Sequence, residues 1–200
     1  PLEGEIDQPV RTLDLGAGNG WLSYRLAERG HRVAAVDLLT DNRDGLGTHT
    51  LYPVGYTPIQ AEFDRLPLDD GQADLAVFNA SLHYSGDYEV TLTEALRVLR
   101  DEGTLVILDS PVYRQRGSGE KMVEERGRSF ETRYGLRSGS PPGEGFLTFN
   151  RLDQLSSRLG VEWRTLKPFY GLGWTARRWR ELIFGTREPA TFMLIVGGRR

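Results

Sequence analysis

Asp14 is followed at every second position by Gly16, Gly18 and Gly20, with Ala17 and Asn19 between them, and Trp21 opens a helix-patterned stretch. Glycines, lacking a Cβ, let a chain turn tightly and lay its backbone against a ligand. The N-terminus of the helix that follows offers unpaired N–H groups to a carboxylate or phosphate. About 20 residues past the loop, the apolar run Val33-Ala34-Ala35-Val36 ends in Asp37, where a carboxylate can accept hydrogen bonds from both hydroxyls of a ribose. The chemistry implied is the holding of a nucleoside-containing cofactor. A dinucleotide loop reads G-x-G-x-x-G, whereas here the third glycine comes one residue early, so the spacing does not fit that fingerprint. Each feature has a plainer reading, the glycines as a turn without a ligand and Asp37 as a solvated strand-end carboxylate. Their register with one another favours the ligand.

The elements that must carry these residues follow from periodicity. Short β-rich apolar runs alternate with helix-patterned stretches, which argues for βαβ units on a parallel sheet and an α/β fold class. Strands are expected at residues 11–15, 32–38, 59–62, 74–79 and 103–109, with helices at 21–29 and 88–100. Five strands in that rhythm form a doubly wound core. Residues 110–149 break the pattern with Gly, Ser, Pro and many charges around a helix near 121–130, and are read as a lid-like insertion hinged at Gly117 and Gly119. A helix at 151–159 and strands at 161–166 and 191–196 complete the expectation, all within one domain spanning residues 1–200.

At Asp14, Gly16, Gly18 and Gly20 the chain resembles the class I S-adenosylmethionine (SAM)-dependent methyltransferases, whose first motif is an acidic residue followed by G-x-G-x-G. The resemblance continues at Ala61-Glu62-Phe63-Asp64-Arg65-Leu66-Pro67-Leu68, which looks like the family's G-D-A-x-x-L-P-F segment. It continues again through residues 73–84 and 96–105, and the nearest subgroup is the broad small-molecule and quinone-type set called methyltransferase type 11. The resemblance implies a Rossmann-like sheet of seven strands, mostly parallel with the last antiparallel, and SAM as cofactor. It further implies that the loop residues Gly16, Ala17, Gly18 and Gly20 wrap the methionine portion while Asp14 helps hold its amino end. Asp37 would take the ribose hydroxyls, Leu38 would line the cofactor site, Glu62 would take the adenine amino group, and the backbone of Phe63 would meet the ring. Glu for Asp and Phe for a small residue are departures that weaken the adenine assignment.

Methyl transfer from a sulfonium is an in-line displacement, so the protein mainly aligns nucleophile and methyl group and excludes water. If the acceptor is a hydroxyl or phenol, a base near the end of the fourth strand is well placed, and His83 is the histidine there, with Tyr84 a weaker candidate. A structural histidine is the plainer alternative. Asn79, at the strand end, is expected to line the cofactor site, and Asp109, ending the fifth strand, to reach the acceptor or merely to turn the chain. The basic aromatic stretch at 169–180, with Trp174, Trp179, Leu182, Ile183 and Phe184 on an amphipathic helix, suits a hydrophobic acceptor or a membrane surface better than nucleic acid.

Bulk properties narrow the rest. Twenty-eight acidic against 25 basic side chains leave a net charge of -3, so nothing global attracts nucleic acid or an anionic membrane. The chain has no cysteine and three dispersed histidines, His31, His49 and His83, which argues against disulfides and a metal cluster. No apolar run approaches the ~20 residues of a membrane helix, and a cytoplasmic location is expected. The chain opens on Pro1-Leu2-Glu3-Gly4, so a further native segment is expected before it. The expected function is methyl transfer from SAM to a small-molecule acceptor, yielding S-adenosylhomocysteine. The alternatives are a non-catalytic SAM-binding protein and a nucleic-acid methyltransferase; against the latter, the segment after the fourth strand reads Asn79-Ala80-Ser81-Leu82 instead of an Asn-Pro-Pro-Tyr type.

Overall fold

A computed structural model describes residues 8–136, 143–169, 171, 173, 185 and 187–199. The first strands follow the apolar runs: β1 (Arg11–Leu15), β2 (Arg32–Asp37), β3 (Thr57–Gln60), β4 (Ala73–Asn79) and β5 (Leu99–Leu108). They are joined by α1 (Trp21–Glu28) and α2 (Tyr88–Val98). Then come the short β6 (Val112–Tyr113), α3 (Arg116–Tyr134), the short β7 (Leu147–Thr148), α4 (Phe149–Leu159), β8 (Val161–Leu166) and β9 (Leu194–Arg199).

Seven strands form one sheet in the order β3-β2-β1-β4-β5-β9-β8. The first five are mutually parallel, and β9 runs antiparallel to both β5 and β8. This is the doubly wound Rossmann-like sheet expected from sequence, with β9 slipped between β5 and β8. Strand order reverses between β1 and β4, and the carboxyl ends of strands flanking such a switch open onto a crevice where α/β sheets hold ligands. The central strands are nearly continuous apolar runs because helices cover both faces. The main core joins Leu13, Leu15, Phe78, Leu105 and Ile107 with Leu92, Leu96 and Leu155 of the helices. A smaller cluster packs Ala27 of α1 against Val33, Ala35, Leu46 and Tyr56.

Local chemistry sets most element ends. Asp87 caps α2 by accepting from the backbone N–H of Glu89 at 2.8 Å, and Thr148 caps α4 by accepting from Arg151 N at 3.0 Å. Such caps contribute about 1 kcal/mol each.

Several boundaries differ from expectation. β3 lies at Thr57–Gln60 because its pairing runs from Ala34↔Thr57 to Asp37↔Gln60, and Pro58 is tolerated since β3 is an edge strand. β5 starts four residues early, at Leu99, by pairing with Ala73 across an irregularity in the ladder. β9 spans Leu194–Arg199, not 191–196, because its register is fixed residue for residue against β8. Gly197 thereby sits inside a strand, where the Trp163 ring occupies the space a Cβ would need. α3 is much longer than the expected helix, and Gly117 and Gly119 are no hinges. Both belong to its first turn, and Gly119 presses against the ring of Phe146. The insertion is closed at its base, where β6 pairs with β7 and Val112 bridges to Thr191. The basic aromatic stretch and its amphipathic helix fall almost wholly outside the described residues.

Candidate functional site

The glycine loop leaves β1 at the switch point. Gly16, Gly18 and Gly20 all have positive φ, at 78°, 54° and 72°, which is the left-handed region glycine enters without steric cost. Space imposes a second requirement. A Cβ at Gly16 would collide with Ser81 and press on Phe63, and one at Gly20 would collide with the Tyr56 hydroxyl.

The loop's own N–H groups are turned inward, contrary to the expectation that they face a ligand. Gly16 N and Ala17 N both donate to Val36 O, at 2.8 and 3.0 Å, and Gly20 N donates to Ala17 O at 2.8 Å. Gly18 N donates to Asp37 Oδ2 at 2.7 Å. The other oxygen of Asp37 accepts from Leu39 N at 2.9 Å, which orients the carboxylate at the end of β2. Each of those oxygens keeps a further lone pair for an outside donor.

Asp14 points into the core beneath the loop and is 1 % exposed. Ser23, one turn into α1, donates its hydroxyl to Asp14 Oδ2 at 2.7 Å, while Oδ1 is buried without a hydrogen-bond partner. Burial pushes the Asp14 carboxyl up to about 6, the Ser23 hydrogen bond partly opposes that rise, and the charge of Asp37 adds to it. A half-satisfied buried carboxylate is costly to the fold on its own. The Tyr56 hydroxyl against Gly20 is likewise buried and unpartnered.

Residues from the other strand ends gather beside the loop. Phe63, just after β3, packs its ring edge-on to Phe78 with centroids 5.7 Å apart, and lies next to Gly16. Its neighbour Glu62 is exposed, as is Leu38 at 56 %. Asn79 ends β4 half-buried, opposite Leu108 of β5. The two residues that follow those strand ends, Ala80 and Asp109, are the described non-glycine residues with positive φ, at 54° and 48°. Left-handed geometry in non-glycine residues is concentrated at sites where the chain must aim what comes next. At Ala80 it brings Ser81 back to donate its hydroxyl to Leu15 O, tying β4 to the start of the loop.

His83 lies in the short 3-10 turn Leu82–Tyr84 and is buried. Its Nδ1 is 3.5 Å from the Ser110 hydroxyl, and its ring rests on that of Tyr84 with centroids 4.3 Å apart. Burial pulls the imidazole down to about 4, with the positive charge of Arg126 from α3 adding to the effect, so His83 is neutral at pH 7. Arg126 in turn stands over the Tyr84 ring at 5.6 Å. Two groups therefore line the carboxyl edge. One, around Asp14, Gly18, Asp37 and Phe63, surrounds the loop; the other, around His83, Tyr84, Ser110 and Arg126, sits over β4 and β5.

Sequence reasoning missed Ser23, Tyr56, Ser81, Ser110 and Arg126. Only Ser23 carried a signal, a hydroxyl placed one turn into the helix that follows a buried acid. Among the described residues no cluster of His, Asp and Glu could hold a metal, and no helix is long and apolar enough to cross a membrane.

A doubly wound sheet with one reversed strand, and a glycine loop braced by the acid of the next strand, define the class as an open α/β sheet with its crevice at the switch point. Residues 13–107 match the methyltransferase domain family. Over 108 residues the chain is 36% identical to the malonyl-[acyl-carrier protein] O-methyltransferase of Geobacter sulfurreducens, covering 51% of this chain and 39% of that protein. Over 116 residues it is 37% identical to the sarcosine/dimethylglycine N-methyltransferase of Halorhodospira halochloris, covering 54% and 40%. The chain thus spans about two fifths of the length of these relatives. In fold it is similar to the SAM-dependent methyltransferase of Mesorhizobium loti, with a TM-score of 0.66 at 19% identity over 96% of this chain and 91% of that one. Over residues 13–107, just under half of its length, the chain is thus similar to the methyltransferase domain family, and its fold is similar to that of a SAM-dependent methyltransferase.

Proposed function

We propose that this protein transfers a methyl group from SAM to a small-molecule acceptor, giving S-adenosylhomocysteine and the methylated product. The observation that carries the reading is the pairing of the unpartnered buried oxygen of Asp14 with the Asp37 carboxylate held at the lip of the same loop. One suits the amino end of SAM and the other its ribose hydroxyls. When bound, SAM supplies a sulfonium methyl group that an acceptor lone pair can attack as the carbon–sulfur bond breaks.

In this reading Gly16, Ala17, Gly18 and Gly20 shape the wall for the methionine portion. Leu38 and Phe63 offer apolar surface on either side of the nucleoside, and Asn79 lines the floor between β4 and β5. Glu62, exposed beside Phe63, takes the adenine amino group. His83 receives the acceptor. Being neutral, its imidazole can accept a hydrogen bond from an acceptor hydroxyl and take the proton as the new bond to carbon forms. A base depressed to about 4 is far weaker than ordinary imidazole, so its larger contribution is to orient the nucleophile. Within the 110–149 insertion, α3 and the described residues beside it form the lid that excludes water over that acceptor. The relatives named for malonyl-[acyl-carrier protein] and for sarcosine support acceptors that are small at the reacting end.

The test has two arms. Calorimetric titration with SAM and S-adenosylhomocysteine should show saturable one-to-one binding, and a metabolite panel incubated with methyl-labelled SAM should yield a labelled product. Binding without any labelled product from the panel or from cell extract would favour a SAM-binding protein without catalysis. Absence of binding would end the reading.

A further inference from the structure

Resting on the acceptor site just described, we propose that the acceptor carries a carboxylate, and that the guanidinium of Arg126 binds it above the Tyr84 ring. The inference starts from an imbalance of charge along α3. Arg116 pairs with Glu120 at 2.9 Å and Glu144 at 3.0 Å, and Arg128 pairs with Glu124 at 3.1 Å. Glu125, next to Arg126 in sequence, is bound by Arg187 at 2.8 Å. For Arg126 itself no carboxylate among the described residues lies within ion-pair distance. The positions one turn before and after it, where a glutamate would pair, are Met122 and Phe130.

That uncompensated cation faces the site. Its guanidinium stands 5.6 Å from the Tyr84 ring centroid, and the Tyr84 ring lies 4.3 Å from that of His83. Cation, ring and imidazole therefore form one row, ending at Ser110 at the carboxyl end of β5. His83 is uncharged, so it neither pairs with a carboxylate nor offers Arg126 a counter-charge. An exposed cation–π contact contributes only about 0.5–1 kcal/mol and leaves the guanidinium N–H donors to water or to a ligand. A planar guanidinium presents two parallel donors that match a carboxylate bidentately, and a single such fork matches a single negative charge. An acceptor anchored there by its carboxylate would present a nucleophile on the same molecule towards His83.

Matched probes test this: 3-hydroxybenzoate against 3-hydroxybenzamide, and 3-hydroxybutanoate against its amide, each titrated into the protein saturated with S-adenosylhomocysteine. At least one acid should bind ten times more tightly than its amide, and Arg126→Gln should bring acid and amide within threefold of each other. Arg126→Lys should retain part of the preference. Because the Arg126 side chain is exposed, S-adenosylhomocysteine affinity should be the same in all three proteins, which also reports that the variants are folded. Equal binding of acid and amide, no binding of either acid, or a preference that survives Arg126→Gln overturns the inference while leaving methyl transfer intact. Failure of S-adenosylhomocysteine itself to bind overturns the methyl-transfer reading and this inference with it.

Discussion

The carboxylate of Asp37 accepts a hydrogen bond from the backbone N–H of Gly18 at 2.7 Å, so the acid proposed to hold a ribose also holds the loop proposed to hold the methionine end. Hydrogen bonds to a charged acceptor contribute roughly 1.5–3 kcal/mol, and losing this one leaves Gly18 N without its partner. Asp37→Ala should therefore weaken SAM binding by at least tenfold in calorimetry and speed amide exchange at Gly18. Asp37→Asn, which keeps an acceptor oxygen for Gly18, should protect that amide better while still binding SAM less tightly. Unchanged affinity in Asp37→Ala would remove Asp37 from the site.

At Gly20 two penalties coincide, a left-handed backbone and the Tyr56 hydroxyl in the space a Cβ would fill. Gly20→Ala should cost about 1–3 kcal/mol in urea unfolding. Part of that loss should be recovered in the double variant with Tyr56→Ala, which removes both the hydroxyl and the ring carbon that crowd the site. If the two substitutions prove additive, Tyr56 does not set the loop's requirement for glycine.

Asp14 and His83 give stability opposite slopes against pH. The Asp14 carboxyl is raised from 3.8 to about 6, so the folded state binds more protons than the unfolded one between those values. Its contribution is full at low pH and falls away by roughly 3 kcal/mol as pH rises through 6. The His83 imidazole is lowered from 6.5 to about 4, so the unfolded state binds more protons, and stability is lost as pH falls through that window. Asp74, held down to about 2 by Arg11, contributes above the unfolded carboxylate range and loses that contribution below it. Urea midpoints from pH 4 to 7 should thus change little in the wild type, rise with pH in Asp14→Asn and fall with pH in His83→Gln. Parallel profiles for all three would contradict the burial argument for both groups.

His83→Gln should lower turnover of a hydroxyl acceptor by 10²-fold or more without altering SAM affinity, since the imidazole lies over β4 and β5, away from the loop. Because the wild-type imidazole is neutral well below pH 6, kcat/KM for the acceptor, measured at saturating SAM, should show no loss on the acid side between pH 5 and 7. Full turnover in His83→Gln would assign the histidine a packing role only.

The βα rhythm, the glycine loop and the acid at the end of β2 were all legible from sequence because each depends on local order. A strand buried on both faces needs a continuous apolar run, and a chain turning left-handed at Gly16, Gly18 and Gly20 needs glycine at those positions. Boundaries were less legible where register overrode pattern. Gly197 lies beyond the strand expected at 191–196 yet belongs to β9, because the ladder to β8 and the Trp163 ring decide its place. The three glycines in α3 likewise disguised a helix of 19 residues.

What only tertiary structure decided was which residues meet. Nothing near Asp14 in sequence announces that one of its oxygens stays unpartnered, or that the loop's N–H groups close on Val36 O and Asp37. His83 reaches Ser110, and Arg126 reaches Tyr84, only because β4 and β5 lie side by side and α3 folds back over their ends. Local propensity sets what a segment becomes. The path of the chain through the sheet sets its neighbours, and at this site the neighbours carry the chemistry.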